Sequence, residues 1–203
     1  AWIVDGTGGR EKGQRSVGVA RQYCGERGKQ ENCQVAVTLS IANHDASLPV
    51  AYRLYLPKEW ASDRKRRRKV GVPDEISFKT KPEIALAQIR WACEAGLRRG
   101  AVLMDAGYGV DTDLRTSLTA LGLSYVAGIQ SHTTVWAAGT GPRPPKKWSG
   151  HGRPPKLLRR DDKHKPASVK ELALALPKRA WRTITWREAT GDKLSSRFAR
   201  VRV

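Results

Sequence analysis

A run of large apolar residues that ends on a single acid and then on glycine occurs twice in this sequence. At residues 2–9, Trp2, Ile3 and Val4 deliver Asp5 into Gly6, Gly8 and Gly9. At residues 101–109, Ala101-Val102-Leu103-Met104 deliver Asp105 into Ala106-Gly107-Tyr108-Gly109. Short apolar runs bounded by glycine read as buried strands. An acid directly after such a run is presented at a sheet rim, so Asp5 and Asp105 form a candidate pair of catalytic or metal-binding carboxylates. Two carboxylates held close together disfavour each other's ionisation, and a hard, oxygen-seeking cation such as Mg²⁺ removes that cost. Each acid alone also suits a simple turn cap before glycine. The duplicated context favours the paired reading.

The elements between the two acids support it. Residues 16–24 and 33–41 read as strands, the second by clean alternation of Cys33, Val35, Val37, Leu39 and Ile41 against polar or small neighbours. With the strand of Asp5 they suggest an antiparallel meander, to which residues 50–56 could add a strand. Residues 63–69, D-R-K-R-R-R-K, read as a solvated basic run. A helix then opens on a Thr80/Glu83 capping box with Pro82 in its first turn. Its apolar stripe is Leu86, Ile89, Cys93 and Leu97, and Gly100 is expected to end it. The strand of Asp105, a helix over 111–121 and a strand over 124–129 follow. Right-handed crossovers place these later strands parallel to the first and beside it. The expected fold class is α/β, a ribonuclease-H-like mixed sheet flanked by helices, over residues 1–130.

Residues 131–203 are expected to form a second region, β-rich and Pro/Arg-rich. Within it, residues 139–166 repeat P-R-P-P-K-K-W and G-R-P-P-K-L-L-R-R and read as a mobile basic loop. A second capping box, Ser168/Glu171, opens a short helix that Pro177 stops. Residues 180–188 and 196–203 read as a hairpin.

A net charge of +19 on 203 residues is the strongest global number. Self-repulsion of that size points to a polyanionic partner, nucleic acid first. No basic amphipathic helix or apolar span suggests a membrane, and no signal peptide is visible. Cys24, Cys33 and Cys93 have no C-x-x-C spacing, which fits a reducing compartment rather than a disulfide framework or zinc knuckle. His44, His132, His151 and His164 lie in loops without metal-ligand spacing. Arg64–Lys69 and residues 143–160 are candidates for phosphate contact, and Trp136, Trp148 and Trp181 for stacking on exposed bases. The Asp-Gly-Thr-Gly cluster at residues 5–8 also suits a nucleotide-phosphate loop of the kinase or actin type, but no second phosphate loop accompanies it.

Several blocks in order resemble one family. D-G-T-G-G-R-E-K-G-Q-R-S-V-G-V-A-R-Q-Y-C-G, G-K-Q-E-N-C-Q-V-A-V, L-Y-L-P-K-E-W, G-V-P-D-E-I-S-F-K-T-K-P, D-A-G-Y-G, G-R-P-P-K, T-W-R-E and S-R-F-A-R-V-R-V are similar to bacterial insertion-sequence transposases with a DDE nuclease domain. The resemblance implies a ribonuclease-H-like core, Mg²⁺ or Mn²⁺, and DNA strand cleavage and transfer at terminal inverted repeats and target DNA. It also implies a bacterial, cytoplasmic, nucleoid-associated protein, a homodimer at full length. Asp5 matches the first catalytic aspartate and Asp105 the second, both as metal ligands. The family usually reads D-D-T at the first motif, where this chain has Gly6. Its glutamate belongs to an R-W-R-I-E type block on a later helix, and no such block is present. Glu188, in W-R-E, sits in a hairpin and reads as structural. The chain is therefore expected to be a fragment or degenerate copy, lacking the N-terminal DNA-binding region and the glutamate helix. The rival expectation is a non-catalytic nucleic-acid-binding remnant of the same fold.

Overall fold

The structure is a computed structural model that describes residues 1–187 and 193–203. The chain separates into two compact units, Ala1–Ile129 and Gln130–Val203. In the first, strands β1 (Trp2–Arg10), β2 (Ala20–Cys24), β3 (Lys29–Ala42), β4 (Ser47–Leu54), β5 (Val102–Met104) and β6 (Tyr125–Ala127) make one sheet. Its order is β2-β3-β1-β5-β6, with β4 also on β3. Antiparallel β1–β3 is followed by parallel β1–β5 and β5–β6. This is the ribonuclease-H-like α/β layout that the element order predicts.

Two details differ from the expected meander. The long strand β3 lies between β1 and β2, so the first two strands are not sheet neighbours. The expected strand over 16–24 shortens to Ala20–Cys24, because residues 16–18 bend there and Gly18 turns at φ 78°. The expected turn over 25–32 shortens as well: residues 25–27 make one 3₁₀ turn, Gly28 closes it at φ 64°, and β3 starts at Lys29. A Cβ at that φ is strained, which suits glycine.

Side chains alternate along β1 and β3 as pleating requires. Trp2, Val4, Val37 and Leu39 are buried on one face against Ile84, Ala85, Ile89 and Ala92 of helix α3 (Lys81–Glu94) and Leu114 and Leu118 of helix α5 (Thr112–Ala120). The Thr80/Glu83 capping box forms as expected. The helix stops at Glu94, ahead of the expected Gly100, and Gly96 at φ 71° turns the chain out of it. Buried Gln88 donates from Nε2 to the Val37 carbonyl at 2.9 Å, tying α3 to β3.

The other face carries a smaller core of Val19, Leu56 and Trp60, bordered by Val17, Ala61, Val70, Val72 and Ile76. Trp60 belongs to helix α1 (Lys58–Ser62). The basic run is helical: Arg64–Lys69 is helix α2, N-capped by Asp63. A short helix α4 (Ala106–Gly109) directly follows β5.

In the second unit, strands β7 (Thr134–Val135) and β8 (Ala167–Ser168) pair, and helix α6 (Val169–Ala175) opens on the expected Ser168/Glu171 box. Strands β9 (Trp181–Arg187) and β10 (Lys193–Ala199) form the expected hairpin with shifted bounds. The stretch 139–166, expected to be a mobile basic loop, holds backbone bridges Arg143↔Arg159 and Asp161↔His164. Bonds from His164 and then Arg143 hold the exposed Asp161 carboxyl down to about 2.

Candidate active site

The site is built by strand register. Trp2, Ile3 and Val4 of β1 pair in parallel with Val102, Leu103 and Met104 of β5. Asp5 and Asp105 are the next residue on each strand, so the two acids sit side by side one position past the last rung. Both are exposed. Asp5 does not end its strand, contrary to the expected rim position. Pairing with β3 carries β1 on through the glycines to Arg10, with Asp5 opposite Thr38. What ends at Asp5 is the partnership with β5, because β5 stops at Met104 and turns into α4.

Local hydrogen bonds fix one oxygen of each carboxylate. Asp5 Oδ1 accepts from the Gly6 N–H at 2.7 Å. Asp105 Oδ1 accepts from the N–H groups of Gly107 at 2.8 Å and Tyr108 at 3.3 Å, capping α4. The turn-cap role and the paired role therefore coexist in Asp105. Among the described residues, Oδ2 of either acid accepts no hydrogen bond. Two exposed carboxylates on adjacent strands offer the hard oxygen donors a divalent cation takes, so the pair fits such an ion. No group of three or more His, Cys, Asp or Glu among the described residues could hold a metal. Glu188 lies outside the described residues.

Two neighbours were not singled out by sequence. Tyr108 is buried, and its hydroxyl has no hydrogen-bond partner among the described residues. Burial, then the charges of Asp105 and Asp5, push that phenol well above the ordinary tyrosine range. Lys81, at the start of α3, is pulled below the usual lysine range by burial, against the opposing pull of Cys33 and Asp105. Its ammonium lies 5.2 Å from the Tyr55 ring centre.

The glycines after Asp105 have a steric rather than a phosphate-binding reason. A Cβ on Gly109 would stand 2.1 Å from the Gly128 carbonyl oxygen, and one on Gly128 2.7 Å from the Ala106 nitrogen. Helix α4 thus touches the end of β6 backbone to backbone.

The remaining candidates do not join the pair. Trp148 donates from its indole to the carbonyls of His151 and Gly152. Trp136 lies under Arg160 at 6.0 Å and Trp181 under Arg197 at 5.9 Å. His44, His132 and His151 are exposed, and His164 bonds Asp161 at 2.7 Å. Cys24 and Cys33 are buried free thiols beneath Gly8 and Val35. No described helix is long and apolar enough to cross a membrane.

A mixed sheet of this strand order, flanked by helices and with two acids on laterally adjacent strands, is the layout of a ribonuclease-H-like domain. The chain belongs to the DDE superfamily endonucleases, whose family pattern matches residues 1–193. It is 33% identical over 134 residues to the probable transposase for insertion sequence element IS701 of Microchaete diplosiphon, an overlap of 66% of this chain and 32% of that protein. The matched part thus spans about a third of that relative's length. No solved structure gives a significant match.

Proposed function

We propose that this chain is the core portion of an insertion-sequence transposase, using Mg²⁺ or Mn²⁺ at Asp5 and Asp105 for DNA strand cleavage and transfer at inverted-repeat ends. The adjacency of the two acids one position beyond the Val4–Met104 rung carries the reading. A divalent ion there supplies Lewis-acid polarisation of a phosphodiester and of the attacking oxygen. The protein's part is to hold the ligands still. Gly6 N–H fixes Asp5, and the N-terminal turn of α4 fixes Asp105, leaving the other oxygen of each without a hydrogen bond among the described residues. The net charge of +19 supplies the attraction to DNA.

In this reading residues 1–130 are the catalytic core and 131–203 the insertion that follows the second aspartate. The chain by itself binds DNA and, weakly, metal, and does not transpose, because a third carboxylate completes the site only in the whole protein. The homodimer and a place on the bacterial nucleoid belong to that whole protein.

The test is Mn²⁺ titration by calorimetry together with a Mg²⁺-dependent nicking assay on inverted-repeat DNA. Asp5→Asn and Asp105→Asn should each abolish metal binding while leaving DNA affinity in place. Metal binding that survives both substitutions would reduce the chain to a non-catalytic DNA-binding remnant. Robust nicking abolished by Glu188→Ala would overturn the account of the third ligand.

A further inference from the structure

The basic run is divided between two jobs. Arg66 and Arg67 are half-buried, whereas Arg64, Lys65, Arg68 and Lys69 are exposed. The Arg66 guanidinium lies 3.5 Å from the centre of the Trp60 ring and donates to the Gln14 carbonyl. Arg67 donates to the carbonyls of Ala61 at 3.2 Å, Pro73 at 2.7 Å and Ile76 at 2.7 Å. Trp60 is fully buried in the small core, its indole N–H on the Val19 carbonyl at 2.7 Å. This second core therefore clamps α2 from within and leaves Arg64, Lys65, Arg68 and Lys69 exposed. Arg64, Arg67, Arg68 and Asp74 also line an open cavity of about 320 Å³.

The clamp sits on a particular side of the sheet. Gln34 and Thr38 share one face of β3, and Thr38 is the register partner of Asp5. Gln34 Nε2 donates to the Val17 carbonyl at 2.7 Å, and Val17 borders the small core. The basic helix thus belongs to the face that bears Asp5, opposite α3.

We propose that α2 is a phosphate-tracking surface for duplex DNA engaged at the Asp5/Asp105 face, with Arg64, Lys65, Arg68 and Lys69 as the contacting residues and Arg66 and Arg67 as their anchors. This rests on DNA being the substrate. A helix of six residues is about 9 Å long. Duplex DNA carries about five charges over that length, close to the number of free cations. The helix has no apolar residue, so it lacks the face a membrane-surface helix needs.

The experiment uses the full chain and a labelled duplex, with affinity followed by anisotropy as salt rises. Replacing Arg64, Lys65, Arg68 and Lys69 together by Gln keeps helix propensity. It should make the slope of log K against log salt shallower by about 3–4, at roughly 0.9 per lost phosphate contact. DNA should also protect Lys65 and Lys69 from acetylation in the unaltered chain, a readout that needs no variant. A wild-type slope that the Gln variant leaves unchanged would overturn the assignment of α2 alone. Loss of affinity for anionic vesicles with DNA affinity intact would overturn it too. An unaltered chain that shows no salt-dependent DNA binding would remove the DNA reading with it.

Discussion

The Tyr108 hydroxyl lies 3.5 Å from where a Cβ on Gly6 would stand. Gly6 is on the α3 face of β1, opposite Asp5, so the position next to that acid looks down on a buried phenol without an acceptor among the described residues. A buried unpaired donor costs about 1–3 kcal/mol. Tyr108→Phe should therefore raise stability by up to about 1 kcal/mol in urea unfolding, part of the gain being offset by the small void left. A loss of similar size would mean that the hydroxyl has a partner.

Glycine is required more strictly a few residues on. Gly109→Ala forces a Cβ into the Gly128 carbonyl, and the backbones of α4 and β6 must part. The expected loss is about 3 kcal/mol. Gly9→Ala, with nothing near its Cβ, should be neutral or slightly stabilising. Paired thermal melts distinguish the two.

Arg67 should behave as a core residue despite its charge. Its carbonyl bonds hold residues 73–76 against α1, and its Nε is buried. Arg67→Lys keeps the charge and loses the fork, and should cost about 2 kcal/mol, whereas Arg68→Lys should cost nothing measurable. Limited proteolysis near residues 70–77 reports the difference.

Acid should weaken both capping boxes. Backbone and side-chain bonds from Thr80 hold the Glu83 carboxyl below its ordinary 4.5, and Ser168 does the same for Glu171. A depressed folded value contributes stability above the unfolded value, and that contribution disappears as pH falls through the folded one. Stability should thus drop below about pH 4.5, and Thr80→Ala should flatten that limb in pH-dependent melts.

Much of the fold was legible because local chemistry and tertiary need agree. Alternation at Cys33–Leu39, the Thr80 box and the two acid-ending runs each point to the element that forms. The order of β1, β2 and β3 was not legible, since pairing partners are chosen by register over many residues rather than by local pattern. The basic run misled for a different reason: a charged side chain anchored on carbonyls and an indole looks, in sequence, like one in water. At the candidate site, the two acids were visible as a possible pair and the residues packed around them were not. Tyr108 and Lys81 act through burial and proximity, which only folding creates.

The unbroken ladder from Trp2 to Arg10 also limits how this site can change over generations. Because faces alternate along a strand, losing or gaining one residue before Asp5 would turn the acid into the hydrophobic layer and bring a neighbour out in its place. Length is therefore frozen here while identity is free to drift. A substitution at this strand, as at Gly6, keeps that register, whereas an insertion or deletion shifts it.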